Sequence, residues 1–209
     1  MRQIDVSMPL YSGMPAFPGD PLFDVEPVRS RARGDPYNIS RVSMGSHAGT
    51  HVDPPIHFVP GGRDLDGVDL ESLSGPCRVV EVPPGTGSVA RREVDAVPPG
   101  TERVLFRTAN SDRWRERLEF FPDYVALDPS AADALVARSV KLVGIDSLSV
   151  ERDATGQFPV HHRLLGAGVL ILEGLLLGDA PAGAYEMRCL PLRVRHGDGG
   201  PARVVLLAP

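Results

Sequence analysis

Ser46-His47-Ala48-Gly49-Thr50-His51-Val52-Asp53-Pro54-Pro55-Ile56-His57-Phe58 places four metal-capable side chains within eleven residues. His47, His51, Asp53 and His57 all stand at odd positions. In extended backbone, where side chains alternate between faces, these four project from one side, so a strand or bent strand aims them at one point. A helix fits poorly, because Gly49 and the Pro54-Pro55 pair lie inside the run and proline removes a donor and breaks the turn. The helical zinc-protease pattern needs glutamate after its first histidine, and Ala48 stands there. The run therefore predicts a site built on a sheet.

Outward from this run, the chain reads as sheet-rich. Proline (21) and glycine (22) punctuate 209 residues into short segments. β-Rich runs occur at 3–8, 39–44, 77–82, 103–107, 124–127, 142–145, 169–173, 187–193 and 203–207. The clearest helix is expected over 130–139, a second from Val160 to Gly166, and a third within 89–96. Many strands with few short helices predict a mixed α/β fold with at least one largely buried sheet, in one domain spanning 1–209. The proline-rich segment 10–24, carrying Tyr11 and Phe17, is either a surface connection or a lid.

Composition narrows the function. Hydrophobic residues at 42% and charged residues at 23% suit a soluble globular protein with a real core. The net charge of -5 and scattered basic residues argue against a nucleic-acid partner, and the Arg113-Trp114-Arg115-Glu116-Arg117 group reads as a solvated face. Cys77 and Cys189 read as buried free thiols. No signal-peptide-like start and no long apolar run is seen, so a cytoplasmic protein without membrane spans is expected.

A lone histidine is commonly a satisfied core or surface residue, but three beside an aspartate on one face form a ligand set suited to zinc, manganese or iron. Two further pieces extend it: His161-His162, and Glu173 ending the apolar run Gly168-Val169-Leu170-Ile171-Leu172. A buried carboxylate there needs a cation or solvent. The ligands suffice for two ions, His47, His51 and Asp53 around one and Asp53, His161 and Glu173 around the other, with Asp53 bridging. His57 is then free to move protons. Asp146 is a candidate acceptor that orients a ligand histidine.

These segments resemble the cyclase family of metal-dependent hydrolases, which includes bacterial kynurenine formamidases and isatin hydrolases. The pattern His-x-Gly-Thr-His-x-Asp-x-Pro-x-His-Phe is matched at every specified position from His47 to Phe58. Further likeness lies in Asp5-Val6-Ser7-Met8-Pro9-Leu10, Gly144-Ile145-Asp146-Ser147, His161-His162-Arg163-Leu164-Leu165 and Ile171-Leu172-Glu173-Gly174. The resemblance implies a three-layer α/β domain with a barrel-like sheet, assembled as a homodimer or higher oligomer. It implies zinc, or alternatively manganese, held by His47, His51, Asp53, Glu173 and, in preference to His162, His161. His57 corresponds to the proton-transferring histidine. The implied activity is hydrolysis of an aryl formamide such as N-formylkynurenine. A cyclic-amide hydrolase, a polyketide-type cyclase and a structural metal module are the alternatives. Kynurenine formamidases tend to carry tryptophan where this chain has Phe17, which keeps an aromatic wall for the substrate but loses the indole donor.

Overall fold

The structure is a computed structural model describing residues 2–116 and 119–208. Its strands are β1 (Arg2–Asp5), β2 (Asp24–Arg29), β3 (Ile39–Ser43), β4 (His51–Asp53), β5 (Ser74–Glu81), β6 (Ser88–Val89), β7 (Arg103–Arg107), β8 (Ala126–Leu127), β9 (Leu142–Ile145), β10 (Leu170–Glu173), β11 (Gly183–Pro191) and β12 (Gly200–Ala208). Five short helices join them: α1 (Leu70–Leu73), α2 (Arg91–Asp95), α3 (Asn110–Glu116), α4 (Pro129–Ala137) and α5 (Pro159–Gly166).

The main sheet runs β1-β12-β11-β5-β7-β9-β10-β4, and a further pairing of β4 with β12 closes it into a mixed barrel with β1 outside the ring. The expected barrel-like α/β fold with few short helices is what forms. Strands β5, β7, β9 and β10 are parallel neighbours, which is where the chain needs helical crossovers. Asp128 starts α4 by accepting from the amides of Ser130 and Ala131, with Pro129 at the first helical position.

Alternation along the strands separates two apolar layers. Leu105, Leu142, Leu170 and Leu172 point into the barrel with Val52, Met187 and Val204. Val104, Phe106, Val143, Ile145 and Ile171 point outward against Val94 of α2, Leu135 of α4 and Leu164 of α5. Cys77 and Cys189 are free and buried, and burial pushes both thiols up to about 12.

Three expectations need correction or completion. The Arg113–Arg117 group is solvated in part: Arg115 and Glu116 are exposed, as expected, but Trp114 is not. Trp114 of α3 is buried, its Nε1 donates to the Asp146 carbonyl at 2.9 Å, and Arg113 lies 3.8 Å over the Phe121 ring; Arg117 lies outside the described residues. The cause is helical spacing, which turns Asn110, Ser111 and Trp114 to one inward face. Segment 10–24 is a loop up to Phe23, with Asp24 opening β2, and is anchored by Met14 and Phe23 in a cluster with Trp114, Phe121 and Tyr124. Strand β2 was not expected from the sequence; among the described residues it pairs only with β3, and every residue of both strands is exposed.

Candidate metal centre

Five short segments converge on the outer face of the barrel. Strand β4 covers only His51–Asp53, so the four residues of the opening run do not share one strand. His47 sits in the turn before β4. His57 ends a 3-10 turn, Pro55–His57, whose amide donates to the Pro54 carbonyl at 3.0 Å. Two consecutive prolines cannot feed a ladder, so the chain folds back instead, and the His57 ring stacks on His47 with centroids 4.0 Å apart. The alternation argument holds within the strand: Val52 points into the barrel, while His51 and Asp53 point out.

Antiparallel register between β4 and β10 sets Glu173 opposite His51 and Ile171 opposite Asp53. Helix α5 then lays His161 over this face, with its ring stacked on Phe58 at 4.5 Å. His162, one residue on along the helix, is exposed and meets Phe58 edge-on at 5.2 Å. His196, at 3.3 Å from Asp64, belongs elsewhere.

Backbone packing makes the approach possible. Gly174 has φ +67°, and a Cβ there would lie 2.3 Å from the Gly49 carbonyl oxygen. Thr50 ties the crossing, donating to the Gly174 carbonyl at 2.5 Å while accepting from the Met8 amide at 2.7 Å.

Donor and acceptor roles show what the cluster lacks. Nδ1 of His51 lies 2.9 Å from the Gly49 carbonyl, which can only accept, so Nδ1 carries the proton and a neutral ring presents a bare Nε2. That Nε2 faces Asp53 Oδ1 at 3.3 Å and Glu173 Oε2 at 3.2 Å. His161 repeats the arrangement: Nδ1 is 2.5 Å from Glu151 Oε1, and Nε2 is 3.4 Å from Glu173 Oε1 and 4.0 Å from Asp53 Oδ2. Lone pairs aimed at buried carboxylates repel unless a cation lies between them. Among the described residues, the buried Asp53 Oδ2 and His47 Nε2 have no hydrogen-bond partner. This donor set fits a divalent metal.

Protonation tells the same story. Burial lowers the His51 pKa, yet Asp53 and Glu173 outweigh it and hold the group well above the usual imidazole range. Burial likewise opposes protonation of His161, but its hydrogen bonds to Glu151 and Glu173 bring it to about 10. Asp53 is held well below its ordinary value by His51 and His47 despite burial. His57 goes the other way, lowered by burial and by the neighbouring His47 and His161 against the pull of Asp53 and Glu173.

Ligand-capable atoms of His47, Asp53 and His57 lie within 4.8 Å of one another, as do those of His51, Asp53 and Glu173. Asp53 is common to both groups. The pairing differs from the expected one, because the strand register gives His51 to Glu173 and the 3-10 turn gives His57 to His47. Phe17 is edge-on to Phe120 at 5.7 Å and partly buried on the cluster containing Tyr124.

Asp146 does not orient a histidine. It accepts from the Thr108 amide and hydroxyl at 2.8 and 2.7 Å and from the Ser111 hydroxyl at 2.6 Å. The carboxylate against His161 is Glu151, which sequence reasoning missed. Its only signal was an acidic residue ahead of Pro159 and the first turn of α5.

A histidine–carboxylate centre on the outside of a closed mixed barrel defines a metal-binding α/β protein. The Cyclase family model matches residues 4–152, and the chain belongs to this family. A kynurenine formamidase of Erythrobacter litoralis is 34% identical over 205 residues, covering 97% of this chain and 92% of the relative. A solved structure named as a potential metal-dependent hydrolase with cyclase activity is 33% identical, with TM-score 0.84 over 98% of this chain and 96% of that one. An isatin hydrolase bound to the product analogue thioisatinate shares the fold at 20% identity, with TM-score 0.84 over 100% of this chain and 92% of that one.

Proposed function

We propose that this chain is a metal-dependent amidohydrolase that cleaves an aryl formamide, with N-formylkynurenine, giving kynurenine and formate, as the favoured substrate. The carrying observation is that His51 and His161 each commit Nδ1 outward and aim Nε2 at the buried pair Asp53 and Glu173. Full-length similarity to kynurenine formamidases selects the substrate class.

His47, His51, Asp53, His161 and Glu173 would hold the metal, with Asp53 shared between two ions. Zinc is favoured and manganese is the alternative. A bound ion of this kind supplies a Lewis acid for the carbonyl and water ionisable near pH ~7 rather than about 15.7. Asp53 and Glu173, both buried, supply the negative charge that retains it. His57 moves the proton, from the attacking water to the leaving amine. Its lowered pKa keeps the ring neutral and able to accept at neutral pH, and its stacking on His47 holds it beside the ligands. Phe17 and its neighbour Phe120 offer an aromatic wall for the aryl group.

We read residues 1–209 as one domain of a cytoplasmic homo-oligomer. Two buried free thiols suit a reducing compartment, and exposed Val25, Val28, Ile39 and Val42 on the β2–β3 hairpin suit a partner surface. Among the described residues no helix is long and apolar enough to cross a membrane.

The test is metal analysis with chelation, followed by turnover of N-formylkynurenine, isatin and simple aryl esters. Chelator-sensitive turnover of the formamide above the others is expected. Preferential opening of isatin would move the assignment to a cyclic-amide hydrolase, and hydrolysis of none by the metal-loaded protein would refute it.

A further inference from the structure

Glu151 is a buried carboxylate with three donors from α5 on its two oxygens. Oε2 accepts from the Val160 amide at 3.0 Å, while Oε1 accepts from the His161 amide at 2.9 Å and from His161 Nδ1 at 2.5 Å. One side chain thus caps the first turn of the helix and fixes the ring that the helix carries.

The segment holding Glu151 is itself immobilised. Asp146, at its start, is gripped by Thr108 and Ser111. The Ser147 carbonyl accepts from the Gly174 amide at 2.7 Å, and Tyr124 donates its hydroxyl to the Glu151 carbonyl at 2.7 Å. Within the same segment the Val150 amide donates to Glu173 Oε1 at 2.5 Å. The turn after β9 therefore holds both His161 and Glu173, although they come from separate elements.

We infer that Glu151 is a positioning residue that locks His161 as the Nδ1-protonated tautomer, so that Nε2 is the atom delivered to the metal. The inference rests on the hydrolase reading above for the identity of the ion, and on hydrogen-bond geometry for the rest. A neutral imidazole has one donor and one acceptor nitrogen, and a carboxylate at Nδ1 decides which is which. Without that acceptor the proton is free to move to Nε2 and block the ligand lone pair, while the ring loses its polar anchor on the far side from Glu173. A cap alone would stabilise α5 without any effect on tautomer.

The experiment uses Glu151→Gln, which keeps the size of the side chain but withdraws its charge and one acceptor. Zinc affinity is measured by competition with a chromophoric chelator, and circular dichroism reports whether α5 and the fold persist. A folded variant binding zinc about 10–100-fold more weakly than wild type is expected. A folded variant with wild-type zinc affinity would overturn the proposal. Should the variant fail to fold, nitrogen-15 spectra of wild-type protein still decide, because His161 must show a protected Nδ1 proton with or without zinc, and an Nδ1 without a proton would overturn the assignment. Wild-type protein that shows the protected proton but binds neither zinc nor manganese would instead refute the metal-hydrolase reading alone.

Discussion

His57 stands apart from the other histidines of the site by its chemistry rather than by its distance. His51 and His161 each have one nitrogen tied to a fixed acceptor and the other facing carboxylates, which raises their proton affinity. His57 has ring neighbours, His47 at 4.0 Å and Phe58 at 4.5 Å, and its proton affinity falls. Replacing it by asparagine is expected to leave bound metal in place and to lower turnover by ~10²–10⁴-fold. Metal content and kcat measured on the same preparation check this, and unchanged turnover would remove the proton-carrier role. At this scale the sequence was informative because histidine clusters are rare and ligand types are few. It misplaced the orienting carboxylate. Asp146 lies in a conspicuous Asp-Ser pair, whereas Glu151 acquires its role only when the turn after β9 meets α5.

The elements meet through small residues and buried polar groups. Gly174 crosses Gly49 so closely that no side chain fits, and its φ of +67° is a conformation that L-residues avoid. Gly174→Ala is expected to cost about 2–4 kcal/mol and, by displacing Glu173, to weaken metal binding. Thermal unfolding with and without zinc measures both, and a variant with unchanged melting temperature would contradict the packing. Asp146 gives a pH signature. Burial pushes its carboxyl from an ordinary 3.8 up to about 6, against the Ser111 and Thr108 hydrogen bonds that lower it. The folded value is raised, so the stabilisation it contributes is complete below about pH 4 and is lost as pH rises through 6. Roughly two pKa units correspond to about 3 kcal/mol. The wild-type minus Asp146→Asn stability difference should therefore change by this order between pH 4 and 7, and a flat difference would show the group to be unshifted. Such effects were not legible in the sequence, because they depend on which donors the fold collects around one carboxylate.

Across the whole molecule, the last strand both closes the barrel on β4 and carries the first strand on its outer side, and one part is left uncovered. Strand β12 pairs with β1, β11 and β4, so its Gly200 and Pro201 seal the ring against Val52 and His51. Among the described residues the β2–β3 hairpin joins no other strand, and its Val25–Val42 pair faces solvent. An isolated two-stranded hairpin is marginal in water. The accessible surface of 10512 Å² also exceeds the about 9,400 Å² expected for a compact monomer of this mass. Wild-type protein is expected to sediment as a dimer or larger species, and Val25→Asp with Val42→Asp to shift it to the monomer mass with circular dichroism unchanged. A monomeric wild type would refute the homo-oligomer.

By itself, the sequence determined the candidate ligand types, the sheet-rich class and the family, because these depend on local spacing and on the chemistry of His, Asp and Glu side chains. The strands at 103–107 and 142–145 were legible for the same reason, since each is a short apolar run, and the helix expected from Val160 to Gly166 forms over Pro159–Gly166. Only the tertiary structure decided that β4 is three residues long, that Glu173 stands opposite His51, that His57 folds onto His47, and that Glu151 rather than Asp146 holds His161. These are relations between segments up to 122 residues apart, as from His51 to Glu173. Register, barrel closure and backbone crossing fix them, and no local pattern encodes those.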